Sequence, residues 1–165
     1  MTTAGFAPES DLRAFRHALG RFATGVTVIT AVGPDGPMGF TANSFAALSL
    51  DPPLVLWSPA RASSRFAVFS TAQAFAIHVL AEDQAGIGAR FVRGGAGFDG
   101  LDQVANADGV PVLTDALARF DCTLHATHDG GDHLIVVGRV GRVIYRDGAP
   151  LVFSQGSYGG FLAQG

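Results

Sequence analysis

A mainly β fold, with short strands forming a closed or nearly closed β-barrel and a few flanking helices, is what this sequence predicts. Three observations carry it. Short apolar runs recur between clusters of Gly, Pro, Asn and Asp. In the C-terminal half one long alternating segment and a second long strand-like segment face each other across Asp129-Gly130-Gly131-Asp132. Helical periodicity is confined to a few stretches, too few for an alternating parallel sheet.

The elements follow in chain order. After a flexible segment of residues 1 to about 10, Ser10 reads as an N-cap, and Leu12, Phe15, Leu19 and Phe22 then recur at helical spacing before Gly25. Val26 to Ala31 is uninterrupted and β-branched, and Gly33-Pro34-Asp35-Gly36-Pro37 supplies the turn of a hairpin. Met38 to Phe45 and Leu54 to Trp57, flanking the Pro52-Pro53 pair, read as further short strands. Arg65 to Phe69 fits a short helix, Phe75 to Leu80 a strand and Glu82 to Phe91 a helix. Gly94 to Gly100 reads as a mobile loop with few apolar contacts. From Leu117, Phe120, Cys122, Leu124 and Ala126 share one face, while Arg119, Asp121, Thr123, His125 and Thr127 share the other. His133 to Tyr145 returns as a long strand, with bends or bulges at Gly138 and Gly141.

The chain has 165 residues, of which 48% are apolar and 15% charged, as expected of one domain spanning 1–165. Such a length buries roughly two thirds of its unfolded surface without disulfides or metal staples. Its 11 basic residues are all arginine, spread along the chain, against 14 acids. A basic nucleic-acid-binding face is therefore not expected, and the absence of lysine removes Schiff-base chemistry, a Walker lysine and a Ser-Lys pair. The single cysteine, Cys122, fits a reducing compartment. No apolar run reaches membrane-spanning length, and residues 1–19 lack a signal-peptide core, so the expected location is cytoplasmic, without membrane contact.

The string Gly95-Ala96-Gly97-Phe98-Asp99-Gly100 matches G-x-G-x-x-G, but a helix precedes it where the dinucleotide fingerprint needs a strand. Among the five histidines, His125 and His128 with Asp129 and Asp132 form the best metal candidate; they straddle a turn where solvated polar residues are ordinary, and no metal is expected. His17 and His78 read as partly buried, hydrogen-bonded residues. No serine lies in a G-x-S-x-G elbow, and Cys122 faces inward as an inert thiol. What remains is Gly39 to Phe45, then Ser58, Arg61, Ser63 and Ser64, then Gly131-Asp132-His133. The first places amides and hydroxyls among apolar residues, suited to the polar edge of a flat heterocycle. The second sets hydroxyls and a cation before a helix, which suits a phosphate, but on pattern alone both segments read first as ordinary strand-to-loop turns, where Ser, Thr and Asn are favoured anyway.

Taken in order, these segments resemble the short-chain flavin reductase family, the small reductase components of two-component flavin-dependent monooxygenases. The likeness runs from about Phe15 to Phe161, through Phe22-Ala23-Thr24-Gly25-Val26-Thr27-Val28-Ile29-Thr30, Gly39 to Phe45, Leu48 to Val55, Phe75 to Leu80, and Gly131-Asp132-His133 followed by Val137-Gly138-Arg139-Val140. The resemblance implies an FMN-binding split β-barrel, usually a homodimer, that moves hydride from NADH or NADPH to FMN or FAD and supplies reduced flavin to a separate monooxygenase. It implies that Thr41, Ala42, Asn43 and Ser44 hold the isoalloxazine and ribityl chain and that Ser58, Ser63 and Ser64 line the phosphate side, although Trp57-Ser58-Pro59-Ala60-Arg61 departs from the commoner family wording. Asp132 and His133 match its Gly-Asp-His motif, with His133 beside flavin and nicotinamide, where it or the amides of Asn43 and Ser44 would stabilise charge on the reduced ring. Asp132 is also expected to close its hairpin by bonding its own backbone. Phe91 and Tyr158 fall in regions that often contribute to the pocket. Two alternatives stay open: a flavoprotein of the same fold that holds FMN tightly and acts on another substrate, and a flavin-binding electron carrier or sensor.

Overall fold

A computed structural model of the chain describes residues 5–164, so residues 1–4 of the expected flexible segment lie outside the described part. Pro8 opens a 3₁₀ turn, Pro8–Ser10, in which the Ser10 hydroxyl donates to the Ala7 carbonyl at 2.7 Å. The cap of α1 (Leu12–Leu19) is consequently Asp11 and not Ser10: its carboxylate accepts the Ala14 N–H at 2.9 Å. Gly20 ends the helix, and Phe22 lies beyond it. The amphipathic stripe is present, but Leu12, Phe15, Leu19 and Phe22 are all exposed.

The strands are β1 (Thr24–Gly25), β2 (Thr27–Gly33), β3 (Gly36–Ala42), β4 (Ala46–Leu50), β5 (Pro53–Trp57), β6 (Ala74–Val79), β7 (Gln103–Ala105), β8 (Pro111–Leu113), β9 (Ala118–Gly130), β10 (His133–Tyr145), β11 (Val152–Ser154) and β12 (Ser157–Gly159). Two further helices are α2 (Phe66–Phe69) and α3 (Ala85–Arg90). The helix expected over 82–91 begins as a 3₁₀ turn, Glu82–Gln84, because the Gln84 side-chain carbonyl accepts the Ala81 N–H at 2.9 Å. Several elements escaped the pattern: β4, an edge strand exposed at Ala46, Ala47, Leu48 and Leu50, the small β7–β8 hairpin, and the three short strands β1, β11 and β12 that form a sheet of their own. The β9–β10 hairpin matches expectation, turning at Gly131-Asp132 with Gly131 at φ 73° and shifting register at Val137/Gly138 and Val140/Arg142.

Seven strands form one antiparallel sheet in the order β3-β2-β6-β9-β10-β5-β4. In a flat sheet β3 and β5 would lie about 24 Å apart, at roughly 4.8 Å per strand. Instead the Phe40 ring of β3 meets the Trp57 ring of β5 at 5.6 Å, and both pack edge-on against Phe69 of α2. The sheet therefore curls around one core of Ile29, Val55, Trp57, Phe69, Phe75, Ile77 and Val136. It is not a closed barrel: β3 and β4, joined by Asn43-Ser44-Phe45, sit at the two ends of the order without pairing. β2 has both faces covered, as its unbroken apolar run suggested, because Ile29 and Ala31 face the first core while Val28, with Val26 just ahead of the strand, joins a second core with Leu80, Phe91, Phe98, Leu113 and Leu151.

Phe98 makes the 94–100 segment less loose than expected. Its buried ring meets Phe91 at 4.8 Å, and the Gly95 carbonyl accepts the Gly39 N–H at 2.9 Å. His17 is exposed and contacts Arg21 at 2.9 Å, not partly buried. Cys122 is buried as expected, and burial pushes its thiol up to about 12. No helix among the described residues is long and apolar enough to cross a membrane, which says nothing of strands.

Candidate functional site

The open seam places several predicted residues together. A cavity of about 260 Å³ lies where β3 runs out, lined by Thr41, Ala42 and Asn43, by Val26 and Val92, and by Phe153 and Tyr158 of β11 and β12. Its walls are mainly apolar, with Thr41 and Asn43 as polar elements. The Thr41 hydroxyl donates to the Gly88 carbonyl at 2.6 Å, so this side chain is already committed to α3.

The chain beyond Asn43 leads to the second predicted group. Ser44 Oγ accepts the Ser58 N–H at 2.9 Å and lies 3.3 Å from the Ser58 carbonyl. The loop after β5 is then fastened to the β9–β10 turn: Ala60 bridges His133, Leu134 N–H donates to the Pro59 carbonyl at 3.1 Å, and Arg61 N–H to the Asp132 carbonyl at 2.9 Å. Arg61 Nε donates to the Gly131 carbonyl at 3.0 Å and Nη2 to Asp129 at 2.7 Å. Residues 43–44, 58–61 and 131–134 are therefore linked in space.

Several expectations need correction. Phe91, placed at the pocket by resemblance, is fully buried; its ring packs on Phe98 and against Gly39, where a Cβ would lie 2.3 Å from it. It supports the β3 wall from behind and has no exposed face for a ligand. Arg61, read as a phosphate cation, is engaged by the hairpin. The helix it was thought to precede, α2, is one turn long, with Arg65 at its cap position and no side-chain cap, so it contributes little dipole. Ser63 Oγ accepts the Arg65 N–H at 3.2 Å, and Ser64 is exposed.

Asp132 also behaves differently. Its carboxylate accepts from His133 Nδ1 at 2.7 Å, and that bond, more than its own backbone N–H, holds the carboxyl below its usual range. The ring orientation is thereby set, with Nδ1 as donor and Nε2 left for other partners. Asp129 is paired with Arg61 and Asp132 with His133, and among the described residues no group of three or more His, Cys, Asp or Glu could hold a metal.

One functional candidate was missed. Arg65 is buried, with Nη1 donating to the Gly39 carbonyl at 3.0 Å and also to that of Phe91, and Nη2 to Val92 at 2.9 Å. Nothing local marks it, since Ser63-Ser64-Arg65 reads as a solvated helix start. Of three larger hollows, two of about 430 and 440 Å³ flank β7 and β8 and contain none of the predicted residues, while one of about 350 Å³ beside Glu82 and Leu151 shares Tyr158 with the site. The 440 Å³ hollow contains the Arg119–Asp121 ion pair, closed at 3.0 Å.

Comparison with known proteins places this geometry in a family. The flavin reductase like domain matches residues 19–161. The FMN reductase (NADH) SmoA of Agrobacterium fabrum is 59% identical over 160 residues, covering 96% of this chain and 92% of the relative. The flavin-dependent monooxygenase reductase subunit HsaB of Rhodococcus jostii is 45% identical over 156 residues, covering 93% and 80%. The structure of the Streptomyces globisporus NADH:FAD oxidoreductase SgcE6 in complex with NAD and FAD fragments matches with a TM-score of 0.89 at 33% identity, covering 96% and 98%. From a match over most of its length, on a curled sheet left open at one seam, the chain belongs to the flavin reductase-like domain family.

Proposed function

We propose that this protein is an NAD(P)H:flavin oxidoreductase, acting as one domain, that reduces FMN or FAD and releases the reduced flavin to a separate monooxygenase. The observation that carries the reading is the 59% identity to an FMN reductase (NADH) across nearly the whole of both chains. The site agrees with it in chemistry: a mainly apolar cavity with Thr41 and Asn43 at its polar edge suits a flat ring.

In this reading Thr41, Ala42 and Asn43, with Tyr158, hold the ring, and Ser44, Ser58, Ser63 and Ser64 follow the ribityl and phosphate chain. When bound, the flavin supplies the hydride-accepting chemistry. The chain's own task is to align the nicotinamide over the ring and keep water out. His133, oriented by ionised Asp132, presents Nε2 on the side where the nicotinamide docks, and the amides of Asn43 and Ser44 offer donors where negative charge develops.

A second copy completes the site. A cavity of about 260 Å³ falls short of the roughly 300–1,000 Å³ that usually encloses a ligand. Phe22, just ahead of β1, and Phe161 and Leu162, which follow β12, leave apolar surface exposed close in sequence to its walls. The setting is cytoplasmic, where NADH and free flavin are both available, with neither membrane nor nucleic acid as partner.

Steady-state oxidation of NADH and NADPH with added FMN, FAD or riboflavin tests the reading, with cytochrome c behind a dialysis membrane as the reporter of released reduced flavin. Turnover saturating with free flavin and reduction across the membrane are expected. Flavin that survives gel filtration and is reoxidised only on the protein overturns the diffusible product.

A further inference from the structure

Arg65 is expensive to bury. Its residue is 7% exposed, no carboxylate among the described residues pairs with it, and desolvation lowers its pKa. Its Nη1 and Nη2 instead donate to three main-chain carbonyls, Gly39, Phe91 and Val92, while the buried Nε has no hydrogen-bond partner among the described residues, and Cζ lies 4.1 Å from the Phe40 ring centroid.

Of those residues Val92 lines the 260 Å³ cavity, and the other two stand next to its lining. Gly39 lies two residues ahead of Thr41 on β3, and Val92, just past α3, lines the cavity itself. The Phe91 carbonyl is shared, since it also accepts the Thr41 N–H at 3.1 Å. The fork thus adds to the two Thr41 bonds, to Gly88 and Phe91, that hold the β3 edge against the end of α3.

We propose that Arg65 is a positioning residue, holding the β3 edge and the end of α3 in register so that Thr41–Asn43 and Val92 present one fixed cavity wall to a planar ring. The proposal rests on the flavin reading of that cavity. A lysine keeps the positive charge but is a single point on a flexible stem; it lacks the two-nitrogen fork that reaches Gly39, Phe91 and Val92 from beside the Phe40 ring. Arg65→Lys therefore raises the flavin KM about tenfold, while the NADH KM and kcat stay within about twofold, because His133 is held separately through Arg61 and the β9–β10 turn.

The experiment measures kcat and both KM values for the full chain, wild type and Arg65→Lys, with the FMN dissociation constant from quenching of flavin fluorescence. A matching rise in flavin KM and dissociation constant supports the proposal. A residue serving stability alone would lower the unfolding midpoint and the active fraction at unchanged flavin KM, and that result overturns it. Should Arg65→Lys fail to fold, Phe40→Leu decides when read with its unfolding midpoint, since it removes the ring beside the guanidinium together with its edge contacts to Trp57 and Phe69: weaker flavin binding by fully folded protein supports the assignment, and unchanged binding overturns it. Wild-type protein that binds FMN but never oxidises NADH refutes the reductase reading while leaving the dissociation-constant comparison to judge Arg65.

Discussion

Acidification is expected to remove a calculable part of the fold's stability through one residue, His78. It lies on β6 with no exposed surface, between the Val28 carbonyl, 2.9 Å from Nδ1, and the Leu113 N–H, 3.1 Å from Nε2. An amide only donates, so Nε2 accepts, Nδ1 carries the proton, and the ring is neutral. Protonation would turn a second N–H against Leu113. Burial, with a lesser contribution from Arg119 and against the opposing pull of the Val28 bond and Asp121, lowers the pKa from 6.5 to about 4. The folded value lies below the unfolded one, so the stability is complete above about pH 6.5 and is lost as the pH falls toward 4. At 1.36 kcal/mol for each pH unit, the gap amounts to roughly 3 kcal/mol. Urea unfolding at fixed protein concentration, followed by the fluorescence of the single tryptophan, the buried Trp57, measures it between pH 8 and 4. In His78→Asn the Leu113 amide loses its acceptor, which costs about 1–3 kcal/mol at pH 8. That variant has no group to titrate here, so the two curves converge on acidification. Groups common to both proteins, Asp132 among them, cancel in the difference. Parallel losses in the two proteins from pH 7 to 4 would refute the reasoning.

Three further outcomes are expected. His133→Ala should lower kcat/KM for NADH more than it weakens flavin binding, and equal losses in both would place His133 outside nicotinamide docking. Gly39→Ala forces a Cβ to within 2.3 Å of the Phe91 ring, so urea melts should show a loss of about 1–3 kcal/mol from overpacking, whereas an unchanged midpoint would mean that the ring moves freely. Light scattering should report a dimer, and a monomer with full flavin affinity would refute the two-copy site.

How much of this was legible in sequence depended on how local its cause was. The β9–β10 hairpin was readable because strict alternation and a tight Gly131-Asp132 turn are written in consecutive residues. β4 was not, since an exposed edge strand has no apolar face to alternate. Asp11 displaced Ser10 as cap because Pro8 had already drawn Ser10 into a 3₁₀ turn. In the site, Thr41, Ala42, Asn43 and Tyr158 do share a cavity, and Ser44 and Ser58 do touch. Phe91 and Arg65 were misjudged or missed because their roles are fixed by contacts far along the chain: Arg65 reaches Phe91 across 26 residues, and Phe91 meets Gly39 from another element.

The same contacts explain why the cavity sits at the seam. An edge strand leaves alternate N–H and C=O groups unpaired, and a fold must cover them. On β3 the Gly39 N–H is taken by Gly95, the Thr41 N–H by Phe91, and the Gly39 carbonyl by Arg65. The glycine-rich 94–100 segment is thus part of the edge's cover, anchored by Phe98, and that argues against a freely swinging gate. The cover stops at Thr41. Past it the chain passes through Ala42 and Asn43, which face the cavity, before Ser44 joins the Ser58 loop. The unpaired end of a curled sheet, walled by Val92 on one side and Tyr158 on the other, is where polar backbone and apolar surface remain together. A ligand bound there can leave without any element unfolding, as a diffusing product requires.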